Sequence, residues 1–320
     1  MESLYPNQSL FLSYTEFVLL GFPGISWARH LLGITFLTLY AVILTCNGLI
    51  IYLIFFEKTL HSPMYYLIAL LFAINIAGTS VVMPKAIVDL FYLNPISLSV
   101  CLIQMFFIYF LTNLESNILL LMSLDRYVAI CRPLRYHNIM TKSLLACMII
   151  IVFILSFVSV SPVVIFTSMV PFCRSNIILD FACENMALLS LACGDISKPQ
   201  TGGLIGRTIT TCLNVGVLLI SYSNILYTAM KTVSGKSRHK ALNTVATHLI
   251  VAMLAYLCAM ASSILSRTES SFSVDVKNLF SAIYLIIPAT LNPFIYGLRV
   301  TEIRGSLAKH WRKMYTSNSH

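Results

Sequence analysis

Among the ionisable side chains inside or at the rim of long apolar runs, those with which this chain could do chemistry are Glu115, Asp125, Arg126, Arg207, His248 and Arg267. A charge in hydrocarbon is expensive, so such residues usually pair, bind an ion or switch. Asp125 and Arg126 end the longest of these runs, in MSLDRYVAICRPLRY (Met122–Tyr136). Neighbours on a helix do not face one another, so Arg126 must curl to meet Asp125. Glu115 falls mid-run and calls for a proton with a hydrogen bond to Asn75 or Ser116, or else a cation. No clustered catalytic dyad, metal-ligand spacing or phosphate loop is present, so the sequence reads as no enzyme and implies no cofactor.

The elements that position these residues follow from composition. Of 320 residues, 58% are hydrophobic and 10% charged, against about 25% charged in soluble domains. Crossing a bilayer core takes roughly 20 mainly apolar residues as a helix. Seven segments qualify: His30–Phe56, Pro63–Leu90, Cys101–Ile130, Leu144–Val164, Leu204–Met230, Ala241–Leu265 and Lys277–Leu298. The expectation is an all-α, seven-helix membrane bundle over residues 30–298, with a tail at 1–29 and a second tail at 299–320. No cleavable signal peptide is visible in residues 1–28, so the first span is expected to act as its own anchor.

Orientation follows from Lys and Arg in the short loops. With the N-terminus outside, 14 of the 21 basic residues fall on the cytoplasmic side, opposed there only by Glu57, Asp125 and Glu302. The basic balance is thus membrane topology and gives no reason to expect nucleic acid as a partner. Asn7-Gln8-Ser9 is a glycosylation sequon in the outer tail. In Thr301–Tyr315, Ile303, Leu307 and Trp311 recur every fourth residue among basic ones, which suits a short interfacial helix on anionic membrane lipid.

Five of the nine cysteines, Cys46, Cys131, Cys147, Cys212 and Cys258, fall in spans or at the cytoplasmic edge. Cys101, Cys173, Cys183 and Cys193 fall on the oxidising face, where four cysteines permit three pairings. Metal binding is the alternative, but no His accompanies them.

Five stretches carry a family resemblance: LHSPMYYLIALL (Leu60–Leu71), MSLDRYVAICRPLRY, Ser221-Tyr222, KALNTVATHL (Lys240–Leu249) and PATLNPFIYGLR (Pro288–Arg299). The chain resembles the odorant receptors, rhodopsin-like G-protein-coupled receptors of the plasma membrane, from about Phe17 to Arg304, and looks most like the class I, fish-like branch. The resemblance implies a Cys101–Cys183 bridge, a Cys173–Cys193 bridge, and coupling to a stimulatory olfactory G protein that raises cyclic AMP. It makes Arg126 the G-protein contact, Asp125 its resting counter-charge, and Asp125-Arg126-Tyr127 part of the switch. Tyr222, and Tyr296 in Asn292-Pro293-Phe294-Ile295-Tyr296, would offer hydroxyls to Arg126 once span six moves. Pro293 removes a backbone donor and loosens span seven. Ser237-Arg238-His239-Lys240 supplies no acid to span six, and His248 could hydrogen-bond across the bundle or simply pack. Relatives carry an acid near Asn75, so Glu115 with Asn75 resembles a weakened sodium site.

A small odorant would sit in the outer half of the bundle. Helical spacing aligns Met105, Ile108, Tyr109, Thr112 and Asn113 on span three, and Tyr256, Ala259, Met260, Ser263 and Arg267 on span six. An apolar wall with a few polar anchors suits a small molecule, though such stripes also build cores. Arg207 or Arg267 could hold an anionic group such as a carboxylate, or could snorkel or pair with Glu184 or Glu269. Ile108, where an amine receptor needs an acid, argues against amines. The alternatives are a non-olfactory receptor for a metabolite, and a transporter, which the absence of repeated halves opposes.

Overall fold

The computed structural model describes residues 13–232, 235–265, 267 and 272–317. Seven long helices run back and forth: α1 (Arg29–Phe56), α2 (Pro63–Phe91), α3 (Leu98–Cys131), α4 (Lys142–Ser168), α5 (Ser197–Thr232), α6 (Gly235–Leu265) and α7 (Val274–Arg299). An eighth, α8 (Thr301–Ser317), follows. Their starts are chemically marked. Ser97, Thr141 and Ser273 each accept the backbone N–H three residues on, which satisfies donors a helix start leaves open. Pro63 opens α2, where a missing N–H costs nothing.

The helices overrun the apolar segments at nearly every end, because the hydropathy signal stops where the chain leaves hydrocarbon and the backbone hydrogen bonds do not. Among the described residues, six of the seven are long and apolar enough to cross a membrane. The seventh, α6, begins at Gly235, ahead of its apolar segment. Large side chains such as Phe157, Leu213, Ile220, Leu257 and Ile264 are exposed on the outside, as a lipid-facing surface requires. The interior holds one apolar core around Leu67, Leu71, Phe72, Ile118, Met122 and Tyr296, and another around Phe22, Phe36, Met83, Ile108 and Phe181.

The first 29 residues are not all tail. Strand β1 (Glu16–Leu19) pairs antiparallel with β2 (Pro95–Ser97), Phe17 opposite Ile96, and parallel with β3 (Ile177–Ile178), Leu19 opposite Ile178. The sheet buries Phe17 and Leu19 against Cys101, Phe172 and Cys183. Gly21 then turns the chain with a positive φ of 68°, open to glycine at little cost. Its N–H donates to the Asp180 carbonyl at 3.1 Å, and its carbonyl accepts from the Asn278 amide. Gly24 N–H donates to the Asp275 carboxylate at 3.0 Å. The N-terminal segment is therefore stitched across the end of the bundle to the long loop between α4 and α5 and to α7.

Of the three pairings open to the outer cysteines, the structure has Cys101–Cys183 and Cys173–Cys193. The first closes a separation of 82 residues, a span for which a crosslink restricts the unfolded chain by about 4 kcal/mol. Cys183→Ser should strip the receptor from the cell surface in antibody staining, whereas Cys131→Ala, which removes a free thiol, should leave surface levels near native. Equal surface levels for the two variants would show that the loop holds without its bridge.

Candidate functional site

At the C-terminal end of α3, Asp125 is fully buried. Arg126 Nη2 lies 3.4 Å from its Oδ2, and the Tyr136 hydroxyl donates to its Oδ1 at 2.8 Å. Tyr136 reaches it because Pro133–Arg135 turns the chain back and Tyr136–Ile139 forms one helical turn beneath α3. Burial, and then the Asp125 charge, pushes the Tyr136 phenol above its usual range. Asp125 thus accepts one hydrogen bond, from Tyr136, and pairs with Arg126 through an oxygen that has no hydrogen-bond partner among the described residues. Arg126 Nε has no hydrogen-bond partner among the described residues.

Tyr222 on α5 and Tyr296 on α7 are both buried, and the Arg126 charge acts on both phenols. Tyr296 packs edge-on to Phe72, with ring centroids 5.7 Å apart. Tyr127 is part-buried against the inner core. The side chains of Arg238, His239, Lys240 and His248, and the Asn7 sequon, lie outside the described residues. Below the bundle, Lys309 of α8 pairs with Glu57 at 3.1 Å, and His310 lies 3.6 Å from the same carboxylate.

Midway along α3, Glu115 lines a cavity with Asn75, Thr79, Ser116 and Tyr284. Neither expected partner holds it. The Asn75 amide donates to Asn47 at 3.2 Å, and the Ser116 hydroxyl turns back to the Thr112 carbonyl at 3.1 Å, as helical serines do. Glu115 Oε1 and both amide atoms of Asn292 are buried without a hydrogen-bond partner. The Asn292 amide nonetheless lies close enough to act on the Glu115 carboxylate.

In the outer half, Met105 and Ile108 are buried, the latter beside Phe181 of the long loop. Tyr109 donates to Glu184 Oε1 at 3.3 Å and accepts from the Asn185 N–H at 3.0 Å. Thr112 back-bonds to the Ile108 carbonyl at 2.7 Å. Arg207 projects from α5, donating to the Ala259 carbonyl at 3.3 Å, with its guanidinium 5.7 Å from the Tyr284 ring centre. Arg267 donates to the Ser263 hydroxyl at 2.9 Å. The Tyr256 hydroxyl is buried beside Ser116 and Asn214.

Two positions leave the expected lining. Asn113 donates to Ser159 of α4 at 2.9 Å and belongs to a polar ladder with Asn117, Ser156 and Asn214. Met260 is 42% exposed on the outside of α6. Helical spacing made each a neighbour of true interior positions, but a stripe five residues wide spans more of the helix than its inner face. Three participants were missed. Tyr284 and Asp180 carry no local signal, whereas Tyr136 closes the Asp125 motif and is legible there as a polar ring on a turn.

Asp180 lies in the loop segment beneath Gly21. Its Oδ1 accepts from the Phe181 and Ala182 N–H groups at 2.7 and 3.3 Å. Burial, aided by the Glu184 charge, pushes its carboxyl up to about 8. The same burial raises Glu184, which the Arg207 charge pulls back most strongly.

This architecture is that of a seven-helix membrane receptor. Squid rhodopsin superposes with a TM-score of 0.70 over 91% of this chain and 87% of that one, at 15% identity, which speaks for the fold alone. Residues 36–313 match the olfactory receptor family model. Human olfactory receptor 52I2 is 36% identical over 292 residues, 90% of this chain and 83% of that protein. Human olfactory receptor 51I1 is 35% identical over 297 residues, covering 92% and 94%. The chain belongs to the olfactory receptor family, signalling receptors of the multi-pass plasma-membrane class rather than enzymes.

Two measurements test the site. Tyr136→Phe removes the hydrogen-bond donor from Asp125 and should raise ligand-free signalling without lowering surface expression; an unchanged baseline would make Tyr136 a spectator. Asp180 holds its proton in the folded chain from its ordinary 3.8 up to about 8. The folded state therefore binds more protons over that interval, and stability falls as pH rises through it. Thermal melting of the purified receptor should drop across the same interval and flatten in Asp180→Asn. An equal drop in the variant would exclude Asp180 as its source.

Proposed function

We propose that this receptor detects a small odorant in the outer half of the bundle and activates a stimulatory, olfactory-type G protein, raising cyclic AMP. The single observation that carries the switch is the Asp125 carboxylate, buried and held by Arg126 and Tyr136 at the cytoplasmic mouth. A ligand shifts this resting state only by binding the alternative state better. The lining around Ile108, Thr112, Ala259 and Tyr284 touches α3, α6 and α7 together, so a ligand seated there would bear on the packing of α6 against α3. Movement of α6 would open the cytoplasmic mouth, free Arg126 from Asp125, and offer it the hydroxyls of Tyr222 and Tyr296. Pro288 and Pro293 weaken the hydrogen-bond ladder of α7, which lets that helix follow.

The proposed orientation puts β1 and both disulfides outside, where oxidation is possible, and α8 inside on the anionic leaflet. Glu115, Asn75 and Asn292 would hold a monovalent cation such as sodium, which supplies only charge balance for a buried carboxylate. Loss of that ion when the bundle rearranges would favour one state over the other.

A cyclic-AMP reporter in cells co-expressing the olfactory G protein, challenged with odorant mixtures, tests the reading. A saturable, receptor-dependent rise is expected, and Arg126→Ala should abolish it while leaving the protein at the surface. A flat native response with verified surface expression contradicts the proposal.

A further inference from the structure

The cavity among α2, α3, α6 and α7 has a volume of about 50 Å³. A water needs roughly 10–15 Å³ by the same measure, so the space holds a few waters or one slender polar chain end. Along α3 it runs from Ile108 through Thr112 to Glu115, about 10 Å of helix at about 1.5 Å per residue. Ala255 and Ala259, one turn apart on α6, leave the room for it.

Two polar groups on its wall are free. Glu115 Oε1 and the Tyr284 hydroxyl are each buried with no hydrogen-bond partner among the described residues. Asn292 lies beside Glu115, and Thr112 beside Tyr284, yet neither contact closes with hydrogen-bond geometry. The remaining hydroxyls of the lining already donate elsewhere. Thr112 donates to the Ile108 carbonyl at 2.7 Å, Ser116 to the Thr112 carbonyl at 3.1 Å and Thr79 to the Asn75 carbonyl at 2.7 Å. A buried acceptor and a buried donor left unpaired each cost free energy that a ligand supplying both partners would recover.

We propose that this cavity takes the hydroxyl end of a slender primary alcohol, which donates to Glu115 and accepts from Tyr284. The carbon chain runs back past Thr112 to Ile108, toward the outer half. The inference deepens the odorant-receptor reading and rests on it. A hydroxyl is donor and acceptor at once, so it satisfies both groups and suits Glu115 whether ionised or protonated. A carboxylate would set a second acid against Glu115, and neither Arg207 nor Arg267 lines the cavity to answer it. An ammonium offers no acceptor to the Tyr284 proton and must shed its water on entering. An aldehyde has no proton to give, so it leaves an ionised Glu115 unpaired. Branching beside the hydroxyl exceeds the small volume. The hydroxyl and a cation exclude one another at the same carboxylate oxygen.

The test applies straight-chain primary alcohols, aldehydes, carboxylates and amines of matched length, at neutral pH, to cells carrying the native receptor and its variants with a cyclic-AMP reporter. The alcohol should act at concentrations about tenfold or more below the other three, and a tertiary alcohol of equal carbon count should lose that lead. Tyr284→Phe, which removes only the oxygen, should weaken the alcohol response about tenfold or more. Glu115→Leu should erase the lead of the alcohol over the aldehyde, and Ala259→Leu, which fills the space from an apolar position, should weaken the alcohol as much. A native receptor that ranks another class above the alcohol overturns the inference, as does a surface-expressed Tyr284→Phe or Ala259→Leu receptor with the native alcohol response. If the variants fail to reach the surface, the native ranking decides alone. A receptor that answers odorant mixtures but no primary alcohol refutes this inference and leaves the odorant reading standing; silence toward everything overturns both.

Discussion

A carboxylate taken out of water must find a proton, a cation or enough hydrogen-bond donors, and that constraint orders the interior of this receptor. In a chain with so few charges, each buried acid marks a place where the helices answer to electrostatics rather than to packing alone. Asp125 is answered by Arg126 and Tyr136, Glu184 by Tyr109 and the Arg207 charge. Asp180 is answered by a proton and two backbone donors. Glu115 is left with one buried oxygen that has no hydrogen-bond partner among the described residues.

The outer end is made rigid so that these charges keep their places. The Cys101–Cys183 bridge fixes the loop beside α3, and Gln104 of α3 accepts the Cys183 N–H at 2.9 Å. One residue further, Glu184 can be aimed into the bundle. Strand β1 then covers the loop, and Phe22 stacks on Phe181 with centroids 6.0 Å apart. Covalent anchor, sheet and aromatic contact act on the same short segment, which holds a charged side chain at fixed depth over an apolar floor. The opposite end of the bundle, around Asp125, is built differently, on single hydrogen bonds and one ion pair.

Much of the fold was legible because seven apolar runs are a strong physical signal, and basic residues concentrate between alternate pairs of them. The helix ends were less legible: α6 begins at Gly235, several residues before its apolar run at Ala241, because backbone hydrogen bonding leaves no hydropathy trace. Strand β1 was unreadable for another reason: four residues paired to partners about 80 and 160 positions away have no periodicity of their own. Site residues divided the same way. Asp125, Arg126 and Tyr109 announced themselves as polar groups on an apolar helix. Asn113 did too, yet its amide points to α4, because sequence spacing fixes a face only to within a residue. Tyr284 and Asp180 gained meaning only from neighbours distant in sequence.

The central claim is that Asp125 restrains Arg126 in the resting state. Ligand-free cyclic-AMP production by Asp125→Asn, normalised to surface expression, tests it most directly. The substitution keeps size and a hydrogen-bond acceptor for Tyr136 but removes the charge that holds Arg126. A baseline well above native, abolished when Arg126→Ala is added, is the expected result. A folded, surface-expressed Asp125→Asn receptor with the native baseline would contradict the account.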